Sequence, residues 1–251
     1  MTTMIPQEVG NWQRFLNLRK YVDWTGKPLV VDESFGPRTS YATRQWQLEN
    51  DLAATSELQK EDRVIARKQG FIDFVQAKHF NLVYPKKREI DLLVIHTMEN
   101  QEKPDSAENV ALWFAGQTKY AAPMASAHYC IDTDSVVQCV RDMDIAWHAP
   151  GANHDGIGLE HAGFARQTPS EWFDEASSAI LVRSAKLAAK LAKLYEIPIR
   201  KLGSEELFKG ARGFCGHADV TLAFPGKGRT HMDPGPSFPW EHYLSMVVTY
   251  A

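Results

Sequence analysis

The chain has no basic excess. Its 28 lysines and arginines stand against 31 aspartates and glutamates, a formal net charge of −3. Nucleic-acid binders usually show the opposite balance, so no such partner is expected. No apolar run approaches the ~18 residues that a membrane helix needs, so no membrane insertion is expected. The stretch MTTMIPQEVGNWQRF has neither a basic n-region nor an apolar h-region, which argues against a secretory leader. Cysteine is scarce. Cys130, Cys139 and Cys215 make an odd, irregularly spaced set, against a disulfide framework and against a cysteine zinc knuckle. Cys130 and Cys139 flank the polar turn 132–135. A bridge there is geometrically conceivable, but reduced core thiols are the expectation. Internal repeats, low-complexity tracts and an HExxH signature are also missing.

What remains is ordinary globular composition. Hydrophobic residues are 44% and charged residues 24% of the 251, enough for a real core. That length suits one large domain or a small one plus a medium one. Residues 1–75 read as helical. Val9, Trp12, Phe15 and Leu16 recur at helical spacing. Gly36-Pro37 marks a turn, with Thr39 or Ser40 as the N-cap of a second helix that carries Ala42 and Trp46. A third helix spans about 56–69 and stops at Gly70. Residues 76–88 (QAKHFNLVYPKKR) suit a linker or an edge-hugging connector.

From residue 90 strands and helices alternate, which reads as α/β. IDLLVIHT is a buried strand ending at a histidine. Asp105 and Glu108 make a capping-box-like start to a helix that Gly116 stops. SAHYCI and VVQCV form a hairpin around TDS. GIGLEHAG is another buried strand, and 175–197 is the longest helix.

Three features could carry chemistry. His96 ends a buried strand, where α/β sheets gather functional groups. His217 lies between small residues in GHADV. His231 stands two residues before Asp233 in a Pro/Gly-rich loop. A catalytic zinc takes three histidine or carboxylate ligands and leaves one position for water. His96, His217 and Asp233 could supply that set, although spacing alone leaves plain core or cap duty open.

Two resemblances extend this reading. QRFLN followed by VVDESFGPRTSYATRQWQ resembles the three-helix peptidoglycan-binding domain of many wall hydrolases. VIHT, SAHYCI, AWHAPGANHDGIGLEHAG, GHADV and HMDPGPSFPW, in that order over residues 88–245, resemble the zinc N-acetylmuramoyl-L-alanine amidases. The implied fold is an α/β amidase domain (89–251), a mixed central sheet flanked by helices, preceded by a small all-α three-helix domain (1–75). The resemblance implies one zinc per chain on His96, His217 and Asp233. It implies Glu160 as the general base and His231 as the oxyanion stabiliser. Trp147, His148 and Asn153 would line the substrate cleft, with His128 in a cleft or supporting position. Some branches place a catalytic tyrosine just before that histidine. Here the residue is Ala127, and strand alternation turns Tyr129 away, so no catalytic tyrosine is assigned.

The expected activity is cleavage of peptidoglycan between the lactyl group and the first alanine, by a monomeric phage endolysin. Without a leader it would reach the wall through a holin-type pore or after lysis. The alternatives are a cytosolic muropeptide-recycling amidase and a non-catalytic peptidoglycan-recognition protein. The last commonly lacks a zinc ligand; this chain keeps all three.

Overall fold

The computed structural model describes residues 4–83, 86–226 and 231–251. The chain divides into two compact units, Met1–Phe74 and Val75–Ala251.

The first unit holds α1 (Pro6–Leu18), α2 (Pro37–Glu49), α3 (Lys60–Lys68) and the short strand β1 (Asp73–Phe74). The apolar stripe of α1 is buried as its spacing predicts: Val9, Trp12, Phe15 and Leu16 all face inward. Trp12 meets Trp46 of α2 edge-on, with centroids 5.1 Å apart. α2 begins before Thr39 and Ser40. Gly36 is the N-cap and Pro37 opens the helix, because its fixed φ is already helical and its missing N–H is not needed there. Thr39 serves a different contact. Gln13 of α1 donates to Asp32 Oδ1 (2.8 Å) and to Thr39 Oγ1 (3.1 Å). Its side-chain oxygen accepts from the backbone N–H of Asp32 and of Glu33, each at 3.1 Å. One buried glutamine thus ties the Asp-x-x-Phe-Gly-Pro turn to the first helix.

In the second unit, residues from Val75 onward hug a sheet edge. Val75 N–H donates to the Gln138 carbonyl and Ala77 N–H to that of Cys139, both at 2.9 Å. β2 (Phe80–Asn81) then pairs antiparallel with β6 (Ile145–Ala146). An open strand edge offers unpaired backbone groups, and this segment satisfies some of them. Residues 84 and 85 lie outside the described residues.

The main sheet uses β3 (Leu92–Thr97), β4 (Tyr129–Ile131), β5 (Val136–Gln138), β7 (Gly156–His161) and β8 (Gly213–Gly216). Their order is β5-β4-β7-β3-β8. β4 and β5 form an antiparallel hairpin, and the other neighbours run parallel. α4 (Ser106–Phe114), α5 (Glu175–Leu194), α6 (Ser204–Phe208), α7 (His217–Ala223) and α8 (Trp240–Tyr250) flank it. α4 lies against the β4–β5 hairpin, α5 against α8, β4 and β7, and α7 against β3 and β8. This is the mixed sheet with flanking helices that the sequence predicts, after a three-helix unit.

The capping box at α4 does not form. Asp105 adopts a left-handed backbone, φ 78°, and makes no side-chain cap. Asp132, in the hairpin turn, caps instead: its Oδ2 accepts from Ala107 N–H at 2.9 Å. Its Oδ1 meanwhile accepts from Ser135 N–H at 2.8 Å, so one buried carboxylate serves helix and turn together. All three cysteines are free and buried, with the Cys130 and Cys139 sulfurs 3.8 Å apart. No helix among the described residues is long and apolar enough to cross a membrane.

Candidate metal centre

The parallel strands β7, β3 and β8 deliver side chains at their carboxyl ends, where functional groups gather in such sheets. His96 is the penultimate residue of β3. β8 stops at Gly216, whose N–H donates to Asp219 Oδ2 at 2.7 Å, so that His217 opens α7 beside it. The backbone N–H of Ala218 donates to the carbonyl of Asp233 at 2.9 Å, which pins the third residue to the start of α7.

Asp233 stands between the two imidazoles. Its Oδ2 lies 2.9 Å from His96 Nδ1, and its Oδ1 lies 3.4 Å from His217 Nδ1. One donor atom from each residue falls within 4.8 Å of the others, and all three residues are buried. Ligands at ~2.0–2.2 Å around a tetrahedral zinc are themselves roughly 3.3–3.6 Å apart, close to the two shorter separations here. Burial pushes His96 down, against the hydrogen bond and charge of Asp233. Burial alone would push Asp233 up. Hydrogen bonds from His217 and His96, and their charges, outweigh it and hold the carboxyl well below the usual range. Two imidazoles and one carboxylate form a donor set that suits zinc with one position left open.

Glu160 sits directly across from His96 in the β3–β7 register. The residue is half-buried, yet its Oε2 is sealed from solvent and has no hydrogen-bond partner among the described residues. Burial raises its pKa well above the ordinary value, helped by the charges of Asp233 and Glu99. An unsatisfied buried carboxyl is costly and tends to mark function. His231 is 43% exposed at its side chain. Its ring stacks on that of His217, with centroids 4.0 Å apart and 13° between planes.

His148, Asn153 and His128 each make internal contacts. His148 is buried, and its Nδ1 lies 3.1 Å from His96 Nε2. Burial, then the charges of His96 and His128, push its pKa well down. The Asn153 side-chain oxygen accepts from the backbone N–H of His148 (2.9 Å) and of Ala149 (2.7 Å), so it shapes that turn. His128 is fully buried, and its Nδ1 accepts from Gly158 N–H at 3.0 Å. Its Nε2 lies 3.1 Å from the Asp144 carbonyl and 2.9 Å from Arg88 Nη2. Trp147 keeps partial exposure; its ring stacks on His79 at 5.6 Å and its N–H bonds the Asn81 side chain. The strand sequence GIG also has a reason. A Cβ on Gly158 would fall 2.6 Å from the His148 ring, so only glycine admits that ring.

With this geometry in view, comparison with known proteins gives a definite family. The profile described as N-acetylmuramoyl-L-alanine amidase matches residues 86–236. The chain belongs to that family. N-acetylmuramoyl-L-alanine amidase A of Achromobacter lyticus is 28% identical over 163 residues, 62% of this chain and 81% of that protein. The solved structure of the Staphylococcus aureus hydrolase AmiA with its ligand shares the fold. It is 16% identical and has a TM-score of 0.51, with 82% of this chain and 88% of that one covered. An AmpD structure is similar over 70% of this chain and 94% of its own, at 21% identity and a TM-score of 0.48.

The sequence reading left two supports of this amidase unassigned. His161 follows Glu160 on β7 and points to the opposite face. Its Nδ1–H is 2.9 Å from the His96 carbonyl, and its Nε2 accepts from Ser184 Oγ at 2.6 Å. Strand alternation could have separated it from Glu160, although nothing local names its partners. Arg88 ends the polar stretch 76–88, yet it is buried.

His161 generates a pH prediction. Burial pushes it down to about 4 from an ordinary 6.5. Between those values the unfolded chain holds a proton that the fold excludes. Its contribution to stability is complete above 6.5 and is lost as pH falls toward 4. Urea unfolding at several pH values should therefore show wild type losing about 1.4 kcal/mol more per pH unit than His161→Gln across this window. Parallel slopes would mean that His161 is already protonated in the fold.

Proposed function

We propose that this chain hydrolyses the amide between the lactyl carbonyl of N-acetylmuramic acid and the first L-alanine of the stem peptide in bacterial peptidoglycan. The observation that carries the proposal is the meeting of His96, His217 and Asp233 beside an unpartnered carboxyl, Glu160. Family membership supplies the bond type. Zinc on the three ligands would polarise the scissile carbonyl and make an attacking water more acidic.

The remaining chemistry falls to side chains of this chain. Glu160 takes a proton from the attacking water, a task suited to a carboxyl with a raised pKa. It returns the proton to the alanine nitrogen, which leaves as an amine. His231, at the open side of His217, donates a hydrogen bond to the oxyanion that develops on the lactyl oxygen. His148 and His128 stay neutral behind the ligands. With all three donors in place, a purely recognising relative is the weaker reading.

We further read the first unit as a wall-binding module, and the whole as a lytic enzyme of endolysin type that works as a monomer on the wall. The support is its separateness: every proposed catalytic group lies in the second unit. A tether to an insoluble polymer raises local substrate concentration without changing the chemistry. The recycling alternative has little use for such a module.

Digestion of purified sacculi followed by mass analysis tests the bond. New free amino groups on alanine, without new reducing sugar ends, are expected. Glu160→Gln should keep its zinc and lose at least ~100-fold in rate. New reducing ends, or near-native turnover in that variant, would remove the proposal. Deleting residues 1–74 should slow lysis of whole wall and reduce pelleting with it, while a small soluble muropeptide is cut at an unchanged rate. No loss on either substrate would favour the recycling enzyme.

A further inference from the structure

The first unit turns two aromatic rings outward on a fixed frame. Trp24 sits in the tight turn between Val22 and Pro28, which form an antiparallel bridge. Asp23 locks that turn. Its Oδ1 accepts from Thr25 N–H at 2.8 Å, from Thr25 Oγ1 at 2.6 Å and from Lys27 N–H at 3.2 Å. Its backbone N–H donates to the Lys27 carbonyl at 2.9 Å. The carboxylate is buried, and its Oδ2 lies 3.1 Å from Arg38 Nη1 on α2. The turn is thereby tied to the helix and the indole is held away from the core. Trp24 is 52% exposed, the most of any tryptophan in the chain.

Tyr41 follows Arg38 by three residues and so shares its face of α2. It too is exposed, and it meets Trp24 edge-on, with centroids 6.2 Å apart and 85° between planes. The Arg38 guanidinium carbon lies 5.7 Å from the Trp24 centroid. Single exposed apolar residues are ordinary and need no explanation. Two rings in contact, braced by a guanidinium on a buried carboxylate, are a preorganised platform, and preorganisation lowers the cost of binding. The polar edges of the platform are unspent. The Trp24 N–H, the Tyr41 hydroxyl and the rest of the Arg38 guanidinium make no hydrogen bond among the described residues. Residues 1–74 carry ten lysines and arginines and ten aspartates and glutamates. That balance gives no long-range pull on an anionic polymer, a carboxylate-bearing peptide or an acidic membrane. A neutral ligand with apolar C–H faces and a rim of hydroxyl and amide groups suits two rings and free donors, and an N-acetylated sugar has that form.

We propose that Trp24, Tyr41 and Arg38 form a saccharide-binding site for a β-linked strand of N-acetylated sugars. A sugar face stacks on the exposed rings, while Arg38 and the Tyr41 hydroxyl bond its hydroxyl and acetamido oxygens. The proposal rests on the reading of the first unit as a wall-binding module. It names the part of the wall that the module holds: the glycan strand, not the stem peptide.

Calorimetric titration of the intact chain with a β-1,4-linked tetramer of N-acetylglucosamine is the test, since that probe has no lactyl amide for the second unit to cut. Trp24→Ala and Tyr41→Ala should each weaken binding at least about tenfold, the scale on which an anchoring aromatic is lost. Both variants should melt with wild type, because the rings they remove are exposed. Pelleting with purified sacculi should fall in the same order as sugar affinity. Unchanged affinity for the tetramer in both variants would overturn the proposal, and so would variants that break up a wild-type dimer in sedimentation while binding sugar as before. Wild type that pellets with sacculi and binds the free stem peptide, yet ignores the tetramer, would overturn the glycan site and leave the wall-binding reading standing. Wild type that binds neither sacculi nor tetramer would remove that reading and this site together.

Discussion

One carboxylate held between two buried imidazoles sets the terms for the rest of the second unit. Asp233 keeps its charge in the interior only because His96 and His217 both address it. Losing either partner would leave a buried charge short of hydrogen bonds, which is strongly destabilising. Much of the local architecture serves that meeting. β3 and β8 are neighbours in a parallel sheet, with Ile95 opposite Gly216, so the next residue on each strand can reach a common point. The start of α7 then turns His217 inward, and the free N–H of Ala218 anchors the backbone of Asp233.

Behind these three lies a set of buried imidazoles held by internal hydrogen bonds. His161 reaches the His96 backbone from the far face of β7 and passes its other nitrogen to Ser184 and Tyr243. His148 backs His96 directly, and Gly158 leaves room for it. His128 is held neutral, pushed down to about 3 by burial and by the neighbouring Arg88 charge. Glu160 is the exception within this well-satisfied interior. Its unpartnered oxygen is what a proton carrier needs, because a carboxyl already saturated with hydrogen bonds has a lowered pKa and little reason to accept a proton.

The sequence announced the strands, the flanking helices and the three ligand candidates for identifiable reasons. Buried parallel strands read as apolar runs, and His96 and Glu160 interrupt two such runs. Those three candidates were legible only through ordered motifs, since His96 and Asp233 are 137 residues apart and no local spacing links them. Register was invisible, so Glu160 opposite His96 had to come from the fold. Misreadings cluster where a distant residue takes over a local task. Asp132 caps α4 in place of Asp105, and Arg88 leaves the polar connector for the interior. Polar residues near a cleft look alike in sequence whether they face outward or brace the wall behind it.

The central claim is that these three side chains hold one catalytic zinc. Anomalous diffraction across the zinc absorption edge, on crystals of the purified protein, tests it most directly. The account predicts a single strong peak bonded to His96 Nδ1, His217 Nδ1 and an Asp233 carboxylate oxygen. A fully active protein with no anomalous density at that place, or with zinc bound elsewhere, would contradict it.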